Sequence, residues 1–258
     1  MRRSLALTAF ALLLLPGCID TDVDGGDAVH ETIHQRIALA PNAHVHVGNI
    51  SGFIVVIPWH TQAIDIVARK YAGDTEELRR TTVDVDHDGS PATDVDIRTS
   101  YEHQGWVFWG NSGGSVDYTI HVPQNVTLSL ADVSGHIRVS GTTGDVDVNN
   151  VSGDVDATRL NGDLTIHAVS GSIEASLLQM SGSRHVDIEA VSGSIHLSIP
   201  ANSSAEVSAE SISGGFDSDF NVPTHQRTVG VEAGGPIGSG TGTIELKTIS
   251  GSMTISKL

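Results

Sequence analysis

A short triplet recurs along this chain: an apolar residue, a small polar residue and then glycine. The triplets begin at Ile50, Val133, Val151, Leu160, Val169, Met180, Val191, Ile212 and Ile249. Their spacing is nearly regular, since the glycines at 135, 144, 153, 162 and 171 are 9 residues apart and those at 182 and 193 are 11 apart. A fixed period of this kind indicates a repeat architecture, in which similar units stack on one another.

Polar and apolar residues alternate between successive glycines, which is the pattern of a strand with one buried face. The apolar set that shares a face is Val146, Val148, Val155, Leu164, Ile166, Ile173, Val186, Ile188, Ile195 and Leu197. A single unit cannot bury this face alone, and two units would form one coil of roughly 18–22 residues. We therefore predict an all-β fold, a flattened parallel β-solenoid. A β-sandwich is the alternative, because evenly spaced short strands also suit it.

The chain before the regular repeats is less uniform. We predict that residues 30–132 form an irregular, β-rich N-terminal capping segment and that residues 133–258 form the solenoid. One helix is expected near Gly73–Arg80, with Asp74 or Thr75 as its N-cap and basic residues in its last turn. Residues 82–86 and 94–99 flank a Gly-Ser-Pro turn, which predicts a β-hairpin.

The N-terminus has the features of an export signal. Residues 1–17 combine a basic start with an apolar run from Leu5 to Leu15, too short to cross a bilayer as a helix. Leu15-Pro-Gly-Cys18 resembles the bacterial lipobox, which implies that Cys18 is lipidated, for example with palmitate, and anchors the protein in the membrane. Ile19 after the cysteine favours the outer membrane where the organism has one, and residues 18–29 form an acidic tether. An ordinary signal peptide beside an unmodified thiol is the alternative.

Composition limits what the protein can bind. The formal net charge is −17, so the surface repels phosphate backbones and we expect no nucleic-acid partner. Only 4% of the residues are aromatic, which predicts a thin core built from aliphatic side chains. The sequence has one cysteine, so disulfides contribute nothing inside the exported domain.

Three groups of side chains are candidate metal ligands. Asp84, Asp86 and Asp88 match the first half of a calcium loop, although Val95 stands where that loop needs a bidentate Glu, and a hairpin turn explains the same residues. Asp145, Asp154 and Asp163 recur at one position of the repeat, which puts Asp145 and Asp163 one coil apart, either as paired carboxylates or as solvated outward residues. Histidines follow two spacings, with His44 and His46 on a strand face and His30 and His34 on a helix face. We expect no cofactor unless calcium binds.

An aromatic segment is the candidate binding surface. Tyr101, Trp106, Phe108 and Trp109 are 4 of the 11 aromatic residues of the chain and lie close to several glycines. Exposed, these rings would suit a glycan or a protein contact, whereas buried rings would seal the end of the solenoid core.

The motifs together resemble the bacterial putative-adhesin family, exported proteins of unknown function. The resemblance is carried by the Ile50-Ser-Gly strand, Asp117–Pro123, the serial Val-Ser-Gly-Asp-Val units, Ser194–Pro200 and Thr248–Ile255. It implies a β-solenoid in the cell envelope with no catalytic residues. We therefore expect a non-enzymatic, adhesin-like binding or scaffolding lipoprotein. A polysaccharide-active solenoid enzyme and a regulatory component of the envelope stress response are the alternatives.

Overall fold

The computed structural model describes residues 19–20, 29–102 and 113–258. Strands hold 70% of the described residues and helix 3%, so the all-β prediction is confirmed. In the first part of the chain the strands are β1 (Ile19–Asp20), β2 (Val29–Trp59), β3 (Ala63–Ala72), β4 (Thr81–His87), β5 (Ala92–Tyr101), β6 (Ser115–Pro123) and β7 (Thr127–Ser140). The one helix in the described part, α1 (Thr75–Arg80), lies between β3 and β4.

The repeat region follows with short strands of similar length. These are β8 (Val146–Ser152), β9 (Val155–Leu160), β10 (Leu164–Ser170), β11 (Ile173–Leu177), β12 (His185–Ser192), β13 (Ile195–Ile199), β14 (Ala205–Ser213), β15 (Phe216–Ser218), β16 (Thr224–Gln226), β17 (Val231–Ile237), β18 (Gly242–Ser250) and β19 (Met253–Lys257). None of the helices among the described residues is long and apolar enough to cross a membrane.

Two strands form each coil, and successive coils pair in parallel, as the solenoid prediction requires. Leu164 of β10 pairs with Val146 of β8, and Ile173 of β11 pairs with Val155 of β9, so neighbouring coils are 18 residues apart here. The alternating apolar residues point inward and form one continuous core. This arrangement also explains the small aromatic content, since Val, Ile, Leu and Ala fill the narrow space between the two sheets.

Part of β2 extends the parallel ladder toward the N-terminus. Residues 44–56 of β2 pair with β7, and the triplet glycines Gly52 and Gly135 are register partners. On the outer side of β2, β5 and β6 add further parallel strands. The antiparallel strands β4 and β3 then cover these two strands, which closes the N-terminal end of the solenoid.

The order of coils in space differs from their order in the chain. β18 pairs in parallel with β12 on one side and with β14 on the other. In the second sheet, β19 likewise lies between β13 and β15. The coil nearest the C-terminus is therefore inserted between two coils that precede it in sequence, and the antiparallel strand β17 covers β14 at the end of the ladder.

Local sequence predictions in the N-terminal part are confirmed. Asp74 caps α1 by accepting a hydrogen bond from the Glu77 backbone N–H at 2.7 Å. β4 and β5 form the predicted antiparallel hairpin. The helix expected around His30 and His34 is wrong, because both residues lie in the extended strand β2, where residues 29–38 pair with β3.

The corner glycines stack in a column, one per coil. A Cβ atom built on Gly153 would lie 1.8 Å from the carbonyl oxygen of Gly135, and one built on Gly171 would lie 2.0 Å from that of Gly153. The same contact continues through Gly193, Gly251 and Gly214. The repeat therefore requires glycine because neighbouring backbones touch at the corner, in addition to the left-handed φ of +124° at Gly171.

Replacing Gly171 with alanine should lower the free energy of unfolding by roughly 1–3 kcal/mol, because the methyl group meets backbone and the φ angle is strained. Gly215 is the control, since a Cβ there meets no atom within 4 Å. Urea denaturation of the two alanine variants should show a large loss for Gly171→Ala and little change for Gly215→Ala. Equal stability of both variants would contradict the close corner contact.

Candidate binding groove at the corner

A groove runs along the corner of the solenoid, across the coils and parallel to its axis. Its volume is about 720 Å³, within the range of ligand sites in proteins. Three rows of side chains form most of its lining, and each of six coils contributes one residue to each row. Asn49, Arg227, Val229 and Val231 complete the lining. We call this surface the corner groove.

One wall of the corner groove is an aliphatic ladder. It consists of Val133, Val151, Val169, Val191, Ile249 and Ile212, in their order along the axis. These are the first residues of the repeated triplets, and each is between 44% and 56% exposed. Six apolar side chains in a row, roughly 4.8 Å apart, form a contiguous exposed apolar stripe of the kind that marks interaction sites.

The opposite wall is polar and the floor consists of small residues. The polar wall begins at Ala131 and continues with the polar side chains of Asn149, His167, Glu189, Lys247 and Glu210. Lys247 donates a hydrogen bond to Glu189 at 3.0 Å, and His167 lies 3.5 Å from the same carboxylate. The hydrogen bond from Lys247 lowers the pKa of Glu189, so this ion pair stays charged near neutral pH. The buried floor row is Asp132, Asn150, Ala168, Ala190, Thr248 and Ser211.

Asp132 is a buried carboxylate in a position that asparagine fills in the two neighbouring coils. Its register partners are Asn49 and Asn150, whose amides donate to backbone carbonyl groups at the corner. Asp132 is 2% exposed, and neither of its oxygens has a hydrogen-bond partner of normal geometry among the described residues. Burial raises the pKa of Asp132 to about 6, and weak contacts to the backbone N–H groups of Val133 and Ser134 offset this effect only in part.

The aspartates that follow the corner glycines are structural hydrogen-bond acceptors. Asp145 accepts from the backbone N–H of Asp163 in the next coil at 2.9 Å, and Asp163 accepts from that of His185 at 3.0 Å. Asp154 accepts in the same way from Ser172 at 2.8 Å. The predicted spacing of one coil between Asp145 and Asp163 is confirmed, and each carboxylate connects one coil to the next.

Asp84, Asp86 and Asp88 lie in and after β4, where they belong to the hairpin. Asp88 accepts hydrogen bonds from the backbone N–H groups of Thr93 and Asp94 at 2.8 and 3.1 Å, and contacts with Thr93 lower its pKa to about 2. Within the described ranges, no group of three or more His, Cys, Asp or Glu side chains is placed to hold a metal ion. Calcium binding through these aspartates stays a prediction.

The histidine pairs lie on strands. His44 and His46 share the outward face of β2, as predicted, and His46 lies 3.4 Å from Asp94. His34 lies 3.0 Å from Asp65 of β3.

The remaining predicted site residues lie at the limits of what the structure describes. Tyr101 ends β5, and its hydroxyl donates to the carbonyl oxygen of Gly114 while its ring covers Gly113. Trp106, Phe108 and Trp109 lie outside the described residues, as does Cys18.

Sequence reasoning did not find the corner groove, because the valine of each triplet has the same residue type as the valines of the core.

The fold and the groove define a class of protein: a parallel β-solenoid that presents a repeated surface along its corner. The family model Toastrack DUF4097 matches residues 110–256, more than half of the chain, and the protein belongs to this family. The fold agrees with the putative-adhesin resemblance of the sequence.

The chain is similar to two solved bacterial structures. A putative cell adhesion protein from Clostridium sporogenes has a TM-score of 0.52 at 10% identity, over 87% of this chain and 99% of that one. A putative adhesin from Bacteroides fragilis has a TM-score of 0.42 at 16% identity, over 88% of this chain and 97% of that one. At 10% identity, the likeness to the Clostridium sporogenes structure shows the fold alone. No curated protein matches the chain.

Changing Asp132 to asparagine should stabilise the protein at pH 7.5 by roughly 1–3 kcal/mol, because the buried charge is removed and an amide can donate as in the neighbouring coils. The folded-state pKa lies above the ordinary value near 3.9. The protonated carboxyl of wild-type Asp132 therefore contributes fully to the stability of the fold below about pH 4, and this contribution is lost as the pH rises through about 6.

Urea denaturation at pH 7.5 and at pH 4.5 measures this difference. The gain from Asp132→Asn should be smaller at pH 4.5, where the wild-type carboxyl is largely protonated. The control is Asp147→Asn on the exposed face of β8, which should change stability little at either pH. A gain of the same size at both pH values would show that the charge of Asp132 is not the cause.

Proposed function

We propose that this protein is a non-enzymatic, adhesin-like binding or scaffolding protein of the bacterial cell envelope. The observation that carries the proposal is the exposed aliphatic ladder, which repeats one apolar residue in six successive coils beside the polar wall. Such a surface binds a partner without covalent chemistry. The name of the Clostridium sporogenes structure, a putative cell adhesion protein, agrees with this function.

The occupant of the corner groove is an amphipathic helix of a protein partner. A helix rises about 5.4 Å per turn. The rungs of the ladder are about 4.8 Å apart, so successive turns can follow successive coils. The aliphatic ladder would contact the apolar face of such a helix, and the polar wall would contact its polar side. This is the arrangement of helix-in-groove recognition. An extended peptide fits less well. The strands of the solenoid already pair with each other along the axis, so the backbone N–H and C=O groups of the peptide would have no partners.

A second copy of the chain is a weaker occupant for this groove. A stable dimer buries roughly 800 Å² on each partner. The aliphatic ladder is a single row, to which Val229 and Val231 add the other valines that line the groove, and its flanking wall carries the carboxylates of Glu189 and Glu210, which would repel the same carboxylates of a second copy. A glycan also fits less well, since the described lining residues are aliphatic and polar rather than aromatic.

Val169→Asp tests the groove as the binding surface. Val169 is about half exposed, so the substitution should leave stability nearly unchanged. Binding should fall by at least roughly tenfold, because a carboxylate is placed where an apolar face must dock. The matched control is Thr254→Asp, which adds the same charge on the outward face of β19 in the other sheet.

The measurement is retention of purified protein on envelope fractions that are untreated, protease-treated, deglycosylated or extracted with solvent. Wild-type binding should be lost after protease treatment and kept after the other two. Equal retention of the Val169→Asp and Thr254→Asp variants would reject the groove. Loss after deglycosylation or extraction alone would show that the occupant is a glycan or a lipid instead of a protein helix.

The second part of the proposal concerns the location of the protein in the cell. Residues 1–17 direct export, and lipidation of Cys18 anchors the solenoid to a membrane, with Ile19 favouring the outer membrane. Metabolic labelling with a palmitate analogue should tag the wild-type protein and leave Cys18→Ser unlabelled. Both proteins should still be exported, which fractionation checks. Equal labelling of the two proteins would reject the anchor.

A further inference from the structure

The N-terminal end of the second sheet is built around two separate parts of β2. Residues 54–59 of β2 pair in parallel with β6, and β6 pairs antiparallel with β3. Residues 29–38 of β2 pair with the other edge of β3. Since side chains alternate along each strand, the outward side chains of β3, of β6 and of residues 30–36 and 53–57 of β2 share one surface. We call this surface the terminal face.

The terminal face carries exposed apolar side chains. Phe53, Val55 and Ile57 occupy three successive outward positions of β2, and Phe53 and Ile57 are 51% and 38% exposed. Thr119 of β6 is a register partner of both Val55 and Val67, so apolar side chains lie on both sides of it. A group of exposed apolar side chains that extends over three strands is typical of an interaction surface.

The charge of the terminal face differs from that of the chain as a whole. Its outward arginines are Arg36 and Arg69, and its outward carboxylates are Asp65 and Asp117. The face is therefore formally neutral, whereas the chain has a net charge of −17. An anionic phospholipid surface would repel this face less than the acidic remainder of the molecule.

Trp59 lies at the rim of the terminal face with its polar atom already satisfied. Its indole N–H donates a hydrogen bond to the carbonyl oxygen of Ala63 at 2.8 Å, and the guanidinium of Arg36 lies 4.7 Å from the centroid of its ring. The ring of His121 is 5.5 Å away. Tryptophan beside a cationic side chain is typical of the boundary between water and lipid, where one part of the residue contacts apolar groups and another contacts polar groups.

The covalent chain brings the proposed lipid anchor to the edge of this face. β1 pairs antiparallel with the first part of β2, with Ile19 opposite Ile33. Cys18 directly precedes Ile19, so the lipid attachment point lies within one residue of this strand edge. The strand that carries Phe53 is four strand spacings from β1, or about 19 Å. A bilayer that holds the lipid is therefore within reach of the terminal face.

We infer that the terminal face lies against the membrane in which Cys18 is anchored. Phe53 and Ile57 enter the boundary between headgroups and acyl chains, and Arg36 and Arg69 contact lipid phosphates. This inference rests on the lipid anchor of the proposed function and adds a second, non-covalent attachment. The corner groove stays open to a partner, because β8, β10, β12 and β18, which supply most of its polar wall, belong to the other sheet.

Site-specific fluorescence of the lipidated protein tests this contact. Lipidation consumes the thiol of Cys18, the one cysteine of the sequence, so an introduced cysteine is the only free thiol. Thr119→Cys places a label on the terminal face, and the matched control Thr254→Cys places it on the outward face of β19, far along the same sheet. Each protein is labelled with an environment-sensitive dye and reconstituted into vesicles of equal parts phosphatidylcholine and phosphatidylglycerol.

The dye of the Thr119→Cys protein should emit at shorter wavelength in the vesicles. Nitroxide-labelled phospholipid should quench it at least roughly twofold, because a face in the interface lies about 5–10 Å into the boundary of headgroups and acyl chains. The dye of the Thr254→Cys protein should keep its aqueous emission. Ile57→Asp, added to the Thr119→Cys protein, should remove most of the shift and the quenching, because a carboxylate replaces an apolar contact. Thr254→Asp in the same protein should leave both signals unchanged.

Flotation of the same samples separates the contact from the anchor. If the protein floats with the vesicles while both dyes keep their aqueous emission, the anchor holds and the contact of the terminal face is wrong. Equal shifts and quenching of the two dyes would also overturn the contact, since no particular face would then meet the lipid. Protein that does not float and carries no lipid on Cys18 would reject the anchor, and this inference with it.

Discussion

The close contact between stacked corner glycines is the constraint on which this structure depends. Each glycine approaches the carbonyl oxygen of the glycine in the neighbouring coil so closely that no side chain fits between them. This contact allows the two strands of a coil to meet at a tight corner while the parallel ladder continues without a gap. Larger residues at these positions would force the coils apart and interrupt hydrogen bonding in both sheets.

The same corner creates the surface that we propose for binding. Side chains alternate between the inside and the outside of the coil until the chain approaches the corner. There the side chain two places before the glycine is exposed, as Val169 is before Gly171. Because every coil repeats this geometry, single exposed valines become a continuous ladder. The carboxylates of Asp154 and Asp163, just beyond the corners, connect neighbouring coils through backbone N–H groups. The side chain that we propose for binding and the carboxylate that connects the coils thus lie on either side of the same corner glycine.

Sequence alone predicted the coil but not the order of coils. Alternation identified the inward residues Val146 and Ile166, and the signals around Asp74 gave the helix start, because both effects are local. The pairing of Val186 with Ile244 joins residues 58 positions apart, and one aliphatic strand matches another about equally well, so no local signal places β18 between β12 and β14. The buried position of Asp132 was hidden for a similar reason, since its neighbours in space are Asn49 and Asn150 rather than its neighbours in sequence.

The 18-residue register between β8 and β10 sets how such a protein can change in length. An insertion of one residue would turn every later side chain to the wrong face, whereas duplication of a whole coil would keep the faces, the corners and the connecting carboxylates in place. Each duplicated coil would also add one rung to the aliphatic ladder. The length of the solenoid can therefore increase in steps of about 4.8 Å by duplication of existing sequence, and the contact area of the ladder increases with it.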